Sequence, residues 1–136
     1  MIVADTGAIL ALVDADDRHH AALRGLFERD LDWILPWAIL PEVDYLLAAH
    51  VGADTELAFL RDLAEGRYVV EAGGEDDLAR AYELCTQYRD LRLGLVDGVV
   101  AAVAERLQAR AIATLDLRHF AAIEIQGSPK LLPRDL

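Results

Sequence analysis

The chain has 136 residues, 54% of them hydrophobic, and a formal net charge of −11. That length suffices for one domain with a real core and is too short for two, and the apolar content excludes disorder. A lone cysteine, Cys85, excludes an internal disulfide framework and suits a reducing cytoplasm, and no apolar stretch approaches a membrane span. We therefore expect a single domain over residues 1–136, soluble and cytoplasmic, with no membrane partner. The acid immediately after Met1-Ile2-Val3-Ala4 argues against a secretory leader.

The elements follow in order. Ile2-Val3-Ala4 is a short apolar run ending at Asp5-Thr6-Gly7, and Ile9, Leu10, Leu12 and Val13 continue as a helix. After the polar break Asp14–Asp17, Ala21, Leu23, Leu26 and Phe27 carry an amphipathic helix ending near Asp30, with His19-His20 as its solvated start. Trp33-Ile34-Leu35 is a second strand, stopped by Pro36. A helix over 38–51 tolerates Pro41 only because it lies in the first turn. Asp54 is the predicted N-cap of the next helix, which uses Leu57, Leu60 and Leu63 and stops at Gly66.

Tyr68-Val69-Val70 is a third strand, and Glu75-Asp76-Asp77 an acid-rich helix start. Leu78, Ala81, Tyr82 and Cys85 mark that helix. Gly94 precedes the apolar stripe Val99, Val100, Val103 and Leu107. Ala111–Leu115 is a fourth strand ending at Asp116, and Ile123 with Ile125 suggests a final one. Strands alternating with helices at this spacing predict an α/β fold with a parallel sheet and helices on both faces. In such sheets ligands bind beyond the carboxyl ends of the strands.

Four acids belong at that edge. Asp5 and Asp116 end strands, and Glu42 lies in the first turn of the helix after the second strand. Asp97 begins the helix that leads into the fourth strand, so its arrival depends on the loop before it. Clustered carboxylates raise one another's pKa unless a cation holds them. A hard divalent ion, Mg²⁺ or Mn²⁺, meets that need and can activate water for phosphodiester hydrolysis. Three of the acids also have a plainer use, Asp97 and Asp116 as helix caps and Glu42 as a complement to the helix dipole, whereas Asp5 is not needed for folding and taken singly favours function. Their shared placement, more than any one of them, points to a site.

Four segments in order resemble the PIN-domain ribonucleases, and particularly the VapC toxins of bacterial toxin–antitoxin pairs. They are Ile2-Val3-Ala4-Asp5-Thr6-Gly7, Pro41-Glu42, Leu93-Gly94-Leu95-Val96-Asp97-Gly98, and Ala113-Thr114-Leu115-Asp116-Leu117-Arg118-His119-Phe120. The resemblance implies a three-layer α/β/α PIN-like fold with a small central parallel sheet. It implies a Mg²⁺-dependent endoribonuclease (Mn²⁺ as an alternative) cutting structured RNA, transfer or ribosomal, and so inhibiting translation. Asp5, Asp97 and Asp116 are then metal ligands, Glu42 helps position metal and water, and Thr6 and Thr114 orient carboxylates. Gly7 and Gly98 are small departures from the common pattern.

The resemblance further implies a homodimer and a small cognate antitoxin, which would carry any DNA contact. The net charge of −11 counts against a nucleic-acid partner. Twelve of the thirteen basic residues are Arg, however, the side chain best shaped for phosphate, and an acidic protein attracts a basic peptide arm. Arg89, Arg92 and Arg118 are the candidate phosphate contacts. His119 reads as a surface or packing residue, with substrate contact the alternative. Trp33, Trp37 and Tyr45 read as core or dimer packing rather than base-stacking platforms. Two other functions compete: a catalytically silent PIN-like binding domain, and an aspartic protease, whose motif Asp5-Thr6-Gly7 also spells.

Overall fold

The computed structural model describes residues 1–29 and 32–136, so the predicted helix end near Asp30 lies outside the described residues. Five parallel strands form one sheet in the order β3-β2-β1-β4-β5: β1 (Ile2–Ala4), β2 (Trp33–Pro36), β3 (Val69–Glu71), β4 (Ala111–Ala113) and β5 (Lys130–Leu132). All of β1, β2 and β4 is buried, as strands covered on both faces must be. Their short runs are accordingly continuous in apolar residues rather than alternating.

Helices α1 (Thr6–Val13), α2 (His20–Arg29), α3 (Leu40–His50), α4 (Ala53–Ala64), α5 (Glu75–Gln87), α6 (Gly94–Arg106) and the short α7 (Leu117–Phe120) cover the sheet in a three-layer arrangement. Two local readings need correction. Ile123 and Ile125 are not a strand: both are buried, but from a loop, and the fifth strand is Lys130–Leu132. Gly52, at φ 142°, precedes α4 as its N-cap, and Asp54 sits inside the first turn. A helix start at Gly52 leaves Asp54 to complement the dipole instead of closing an orphan N–H.

The order of strands matters for function. The chain runs outward from β1 through β2 to β3, then returns to the other side of β1 with β4 and β5. The reversal falls between β1 and β4, where a doubly wound sheet opens its crevice. Asp5 leaves β1 at that point, its N–H donating to the carbonyl of Ala113 at 2.9 Å.

Helix α6 is held in place by α5. A Cβ on Gly98 would lie 3.0 Å from the Cβ of Ala81 and 3.2 Å from its main chain, so glycine permits the close approach of the two helices. Arg106 reaches from α6 to Asp77, donating from Nε and Nη2 at 2.9 Å each, and to Glu71 at 2.7 Å. Asp77 is only 4% exposed, so it is not merely part of an acidic helix start but a buried charge that needs this partner. Arg80 similarly grips Glu105 with two bonds of 2.7 and 3.1 Å. These contacts fix the helix that carries Asp97.

Candidate active site

At the crevice, Asp5, Glu42, Asp97 and Asp116 line one open cleft of about 640 Å³ together with Thr6, Gly7 and apolar residues of α1, α3 and α6. Each arrives by a different local route. Asp5 is extended backbone at the N-cap of α1, with its side chain free of capping duty. Glu42 is in the first turn of α3, which a 3₁₀ turn over Trp37–Ile39 introduces, and Pro41 occupies the permitted start of the helix. Asp97 reaches the cleft because the chain before α6 bends through Arg92 and Gly94, both at positive φ, 53° and 78°. That bend supplies the loop path on which its convergence depends.

Asp116 lies three residues beyond β4, which ends at Ala113 rather than Leu115. It caps α7, accepting from the N–H of His119 at 3.2 Å. The capping role and the cleft position therefore coexist in one side chain. Thr114 ties the two strand ends together: its hydroxyl donates to Oδ2 of Asp5 at 3.0 Å and accepts from the N–H of Asp116 at 3.0 Å. Thr6 behaves differently from the expectation. Its backbone N–H supports the Asp5 carboxylate, whereas its buried hydroxyl has no hydrogen-bond partner among the described residues.

The electrostatics are those of crowded acids. Burial raises the pKa of Asp5, opposed by the bonds from Thr6 and Thr114, and the neighbouring Asp116 and Glu42 raise it further. Asp97 is pushed up to about 6, first by burial and then by Asp5 and Asp116, with His119 pulling the other way. Carboxylates forced together in this way are paying a cost that a cation would relieve.

His119 is the residue that sequence reasoning undervalued. Its Nδ1 lies 2.9 Å from Oδ2 of Asp116 and 3.0 Å from Oδ2 of Asp97, which makes it part of the cluster and not a packing residue. Although burial acts to lower its pKa, Asp116, Asp97 and a bond to the Leu91 backbone raise it overall. Its spacing of three from Asp116 was the available signal, since i and i+3 share a helix face. Asp97, Asp116 and His119 together present ligand atoms within 4.8 Å of one another.

The arginines do not join this cluster. Arg89, Arg92 and Arg118 are exposed, and none lines the acidic cleft. Trp33 is fully buried and stacks edge-on to Phe27, as a core residue should. Trp37 and Tyr45 depart from the core reading, being 60% and 69% exposed. His20 sits at the first position of α2 and bonds the carbonyl of Ala11 at 3.1 Å. No helix among the described residues is long and apolar enough to cross a membrane.

Comparison with known proteins gives a consistent picture. Residues 2–125 match the PIN domain family model. The chain is 38% identical over 128 residues to ribonuclease VapC26 of Mycobacterium tuberculosis, covering 93% of this chain and 94% of that protein. Among solved structures it is similar to M. tuberculosis VapC20, described as a Sarcin-Ricin loop cleaving toxin, with a TM-score of 0.74, 21% identity, and coverage of 82% of this chain and 87% of that one. FitAcB from Neisseria gonorrhoeae superposes with a TM-score of 0.64 at 16% identity, covering 96% of each chain.

Proposed function

The chain belongs to the PIN domain family, and from that premise we propose that it is a metal-dependent endoribonuclease, the toxin of a toxin–antitoxin pair, acting as one nuclease domain over residues 1–136. The observation that carries this reading is the meeting of Asp5, Glu42, Asp97 and Asp116 in one cleft at the switch point of the sheet. A relative over nearly the whole chain is a ribonuclease, and a solved structure of the same fold is described as a Sarcin-Ricin loop cleaving toxin. The protease reading has no support, because Asp5 opens a helix at the end of a parallel strand. A silent binding domain explains less, since it gives no reason to hold mutually repelling acids together.

Asp5, Asp97 and Asp116 would hold the cation, and the donor set fits: three carboxylates with two raised pKa values and a buried Thr6 hydroxyl without a partner among the described residues. A divalent ion there supplies charge neutralisation at phosphate oxygens and an acidified water. The protein's own residues prepare the site. Thr114 fixes the orientation of Asp5 and the course of the chain into Asp116, so the two strand ends cannot drift apart. Glu42 is exposed at the cleft, where it can help position metal and water. Arg89, Arg92 and Arg118, exposed outside the cleft, are the proposed grips on flanking phosphates.

Structured RNA, transfer or ribosomal, is the proposed substrate, in the cytoplasm. Its proposed partners are a second copy of the chain and a small antitoxin with a basic arm, drawn by the net charge of −11. Exposed Trp37 and Tyr45 are available to such contacts. The test is cleavage of total cellular RNA by purified protein with Mg²⁺ or Mn²⁺, with EDTA, and as Asp97→Ala. Metal-dependent cuts leaving 5′-phosphate ends, lost in the variant, are expected. Cleavage indifferent to EDTA and to Asp97→Ala would reject the carboxylate–metal mechanism.

A further inference from the structure

We propose that His119 is itself a ligand of the cation, its Nδ1 joining Asp97 and Asp116 in a mixed nitrogen–oxygen site that takes Mn²⁺ in preference to Mg²⁺. The inference deepens the reading of the cleft as a metal site and rests on it. The first observation is distance. Nδ1 is 2.9 Å from Asp116 Oδ2 and 3.0 Å from Asp97 Oδ2. Neighbouring ligands of an octahedral ion with bonds of about 2.1 Å stand about 3.0 Å apart. The spacing of Nδ1 from both carboxylates therefore suits a shared cation as well as the hydrogen bond to Asp116.

The second observation is anchorage. The backbone N–H of His119 donates to Oδ1 of Asp116 at 3.2 Å, which holds the residue against that carboxylate from a second side. The third is independent of the cluster. Thr6 lines the cleft with Asp97 and Asp116, is 5% exposed, and its hydroxyl has no partner among the described residues. An unsatisfied buried hydroxyl calls for an explanation, an ion or its water being one.

Ligand chemistry then selects the ion. Mg²⁺ favours oxygen donors and keeps much of its water, whereas first-row divalent ions accept imidazole readily. A site made only of carboxylates has little reason to distinguish Mg²⁺ from Mn²⁺ strongly. One nitrogen gives it a reason.

The experiment titrates Mn²⁺ alone and Mg²⁺ alone into the purified full chain by calorimetry, for the native protein, His119→Asn and Asp97→Asn, and records pulsed EPR of the Mn²⁺ form. Nitrogen coupling to Mn²⁺ is expected in the native protein and absent in His119→Asn. Mn²⁺ affinity should fall in that variant by at least the roughly 10-fold that losing an outer-shell partner costs, with a smaller loss for Mg²⁺. Mn²⁺ bound with only oxygen couplings, lost in Asp97→Asn, would overturn the histidine ligand and leave the carboxylate metal site standing. Failure of the folded native protein to bind either ion would overturn both. The native spectrum decides the question even if His119→Asn folds poorly.

Discussion

Replacing Asp97 by Asn should stabilise the metal-free protein while disabling it. The carboxyl of Asp97 is raised from 3.8 to about 6, chiefly by burial and by Asp5 and Asp116. At about 1.36 kcal/mol per unit this corresponds to a charge penalty of about 3 kcal/mol in the folded state. The side chain is 15% exposed, and the variant gives up its contact with His119, so a net gain of about 1–2 kcal/mol is expected. For a chain of this size that is a rise in Tm of about 3–8 °C. The sign of the pH dependence follows from linkage. Between pH 3.8 and about 6 the folded state holds a proton that the unfolded state has released. Unfolding free energy therefore falls as pH rises through that window, and the penalty is complete above it. The advantage of Asp97→Asn should be full at pH 8 in EDTA and fade toward pH 4. Adding Mn²⁺ at 100 times its Kd should stabilise the native protein by about 2.7 kcal/mol and close or reverse the gap. Thermal denaturation at several pH values, with and without metal, measures all of this. A variant less stable at pH 8 in EDTA, or an advantage that persists unchanged at pH 4, would refute the reasoning.

Thr114→Val removes the donor to Asp5 and the acceptor for the Asp116 N–H. It should cost about 1–3 kcal/mol in urea denaturation and slow single-turnover cleavage about 10–100-fold. Gly98→Ala places a methyl 3.0 Å from the Cβ of Ala81 and should cost about 1–3 kcal/mol by forcing α5 and α6 apart, with a loss of cleavage because Asp97 moves too. Arg106→Met strands the buried Asp77. A loss of about 2–4 kcal/mol is expected by the same denaturation assay, below that of a fully enclosed pair because the Arg106 side chain is 39% exposed.

Asp5 was legible because it ends a buried parallel strand, and the strand-end rule places such a residue at the ligand-binding edge. Glu42 followed from helix position, since a helix after a parallel strand starts at the strand's carboxyl end. Asp97 was legible only as a helix start; its arrival depends on the backbone bend at Arg92 and Gly94, which no periodicity reports. His119 was hidden because packing and ligation use the same spacing, and the second carboxylate it meets is 22 positions away in the chain. The strand error at Ile123 and Ile125 has a similar origin. Alternating buried residues look alike whether they line a strand or dip into the core from a loop, and Lys130–Leu132 was obscured by Pro129 and Pro133 on its flanks. The clamp from Arg106 to Asp77 spans 29 residues and needed the fold to be seen.

An acidic cleft in an acidic protein sets a condition on RNA binding. Asp5, Glu42, Asp97 and Asp116 repel a phosphodiester as strongly as they repel one another, and the chain's net charge of −11 provides no long-range attraction. Phosphate can approach these oxygens only when positive charge already lies among them. RNA and cation should therefore bind cooperatively, each raising the other's affinity by the same factor. An increase in Mn²⁺ affinity of about 5–150-fold on adding a non-hydrolysable RNA analogue is the expected range for such coupling. Calorimetric Mn²⁺ titrations with and without the analogue give the factor directly. An unchanged affinity would mean that RNA is held away from the acids, by Arg89, Arg92 and Arg118 alone, and that the cleft is not where its backbone lies.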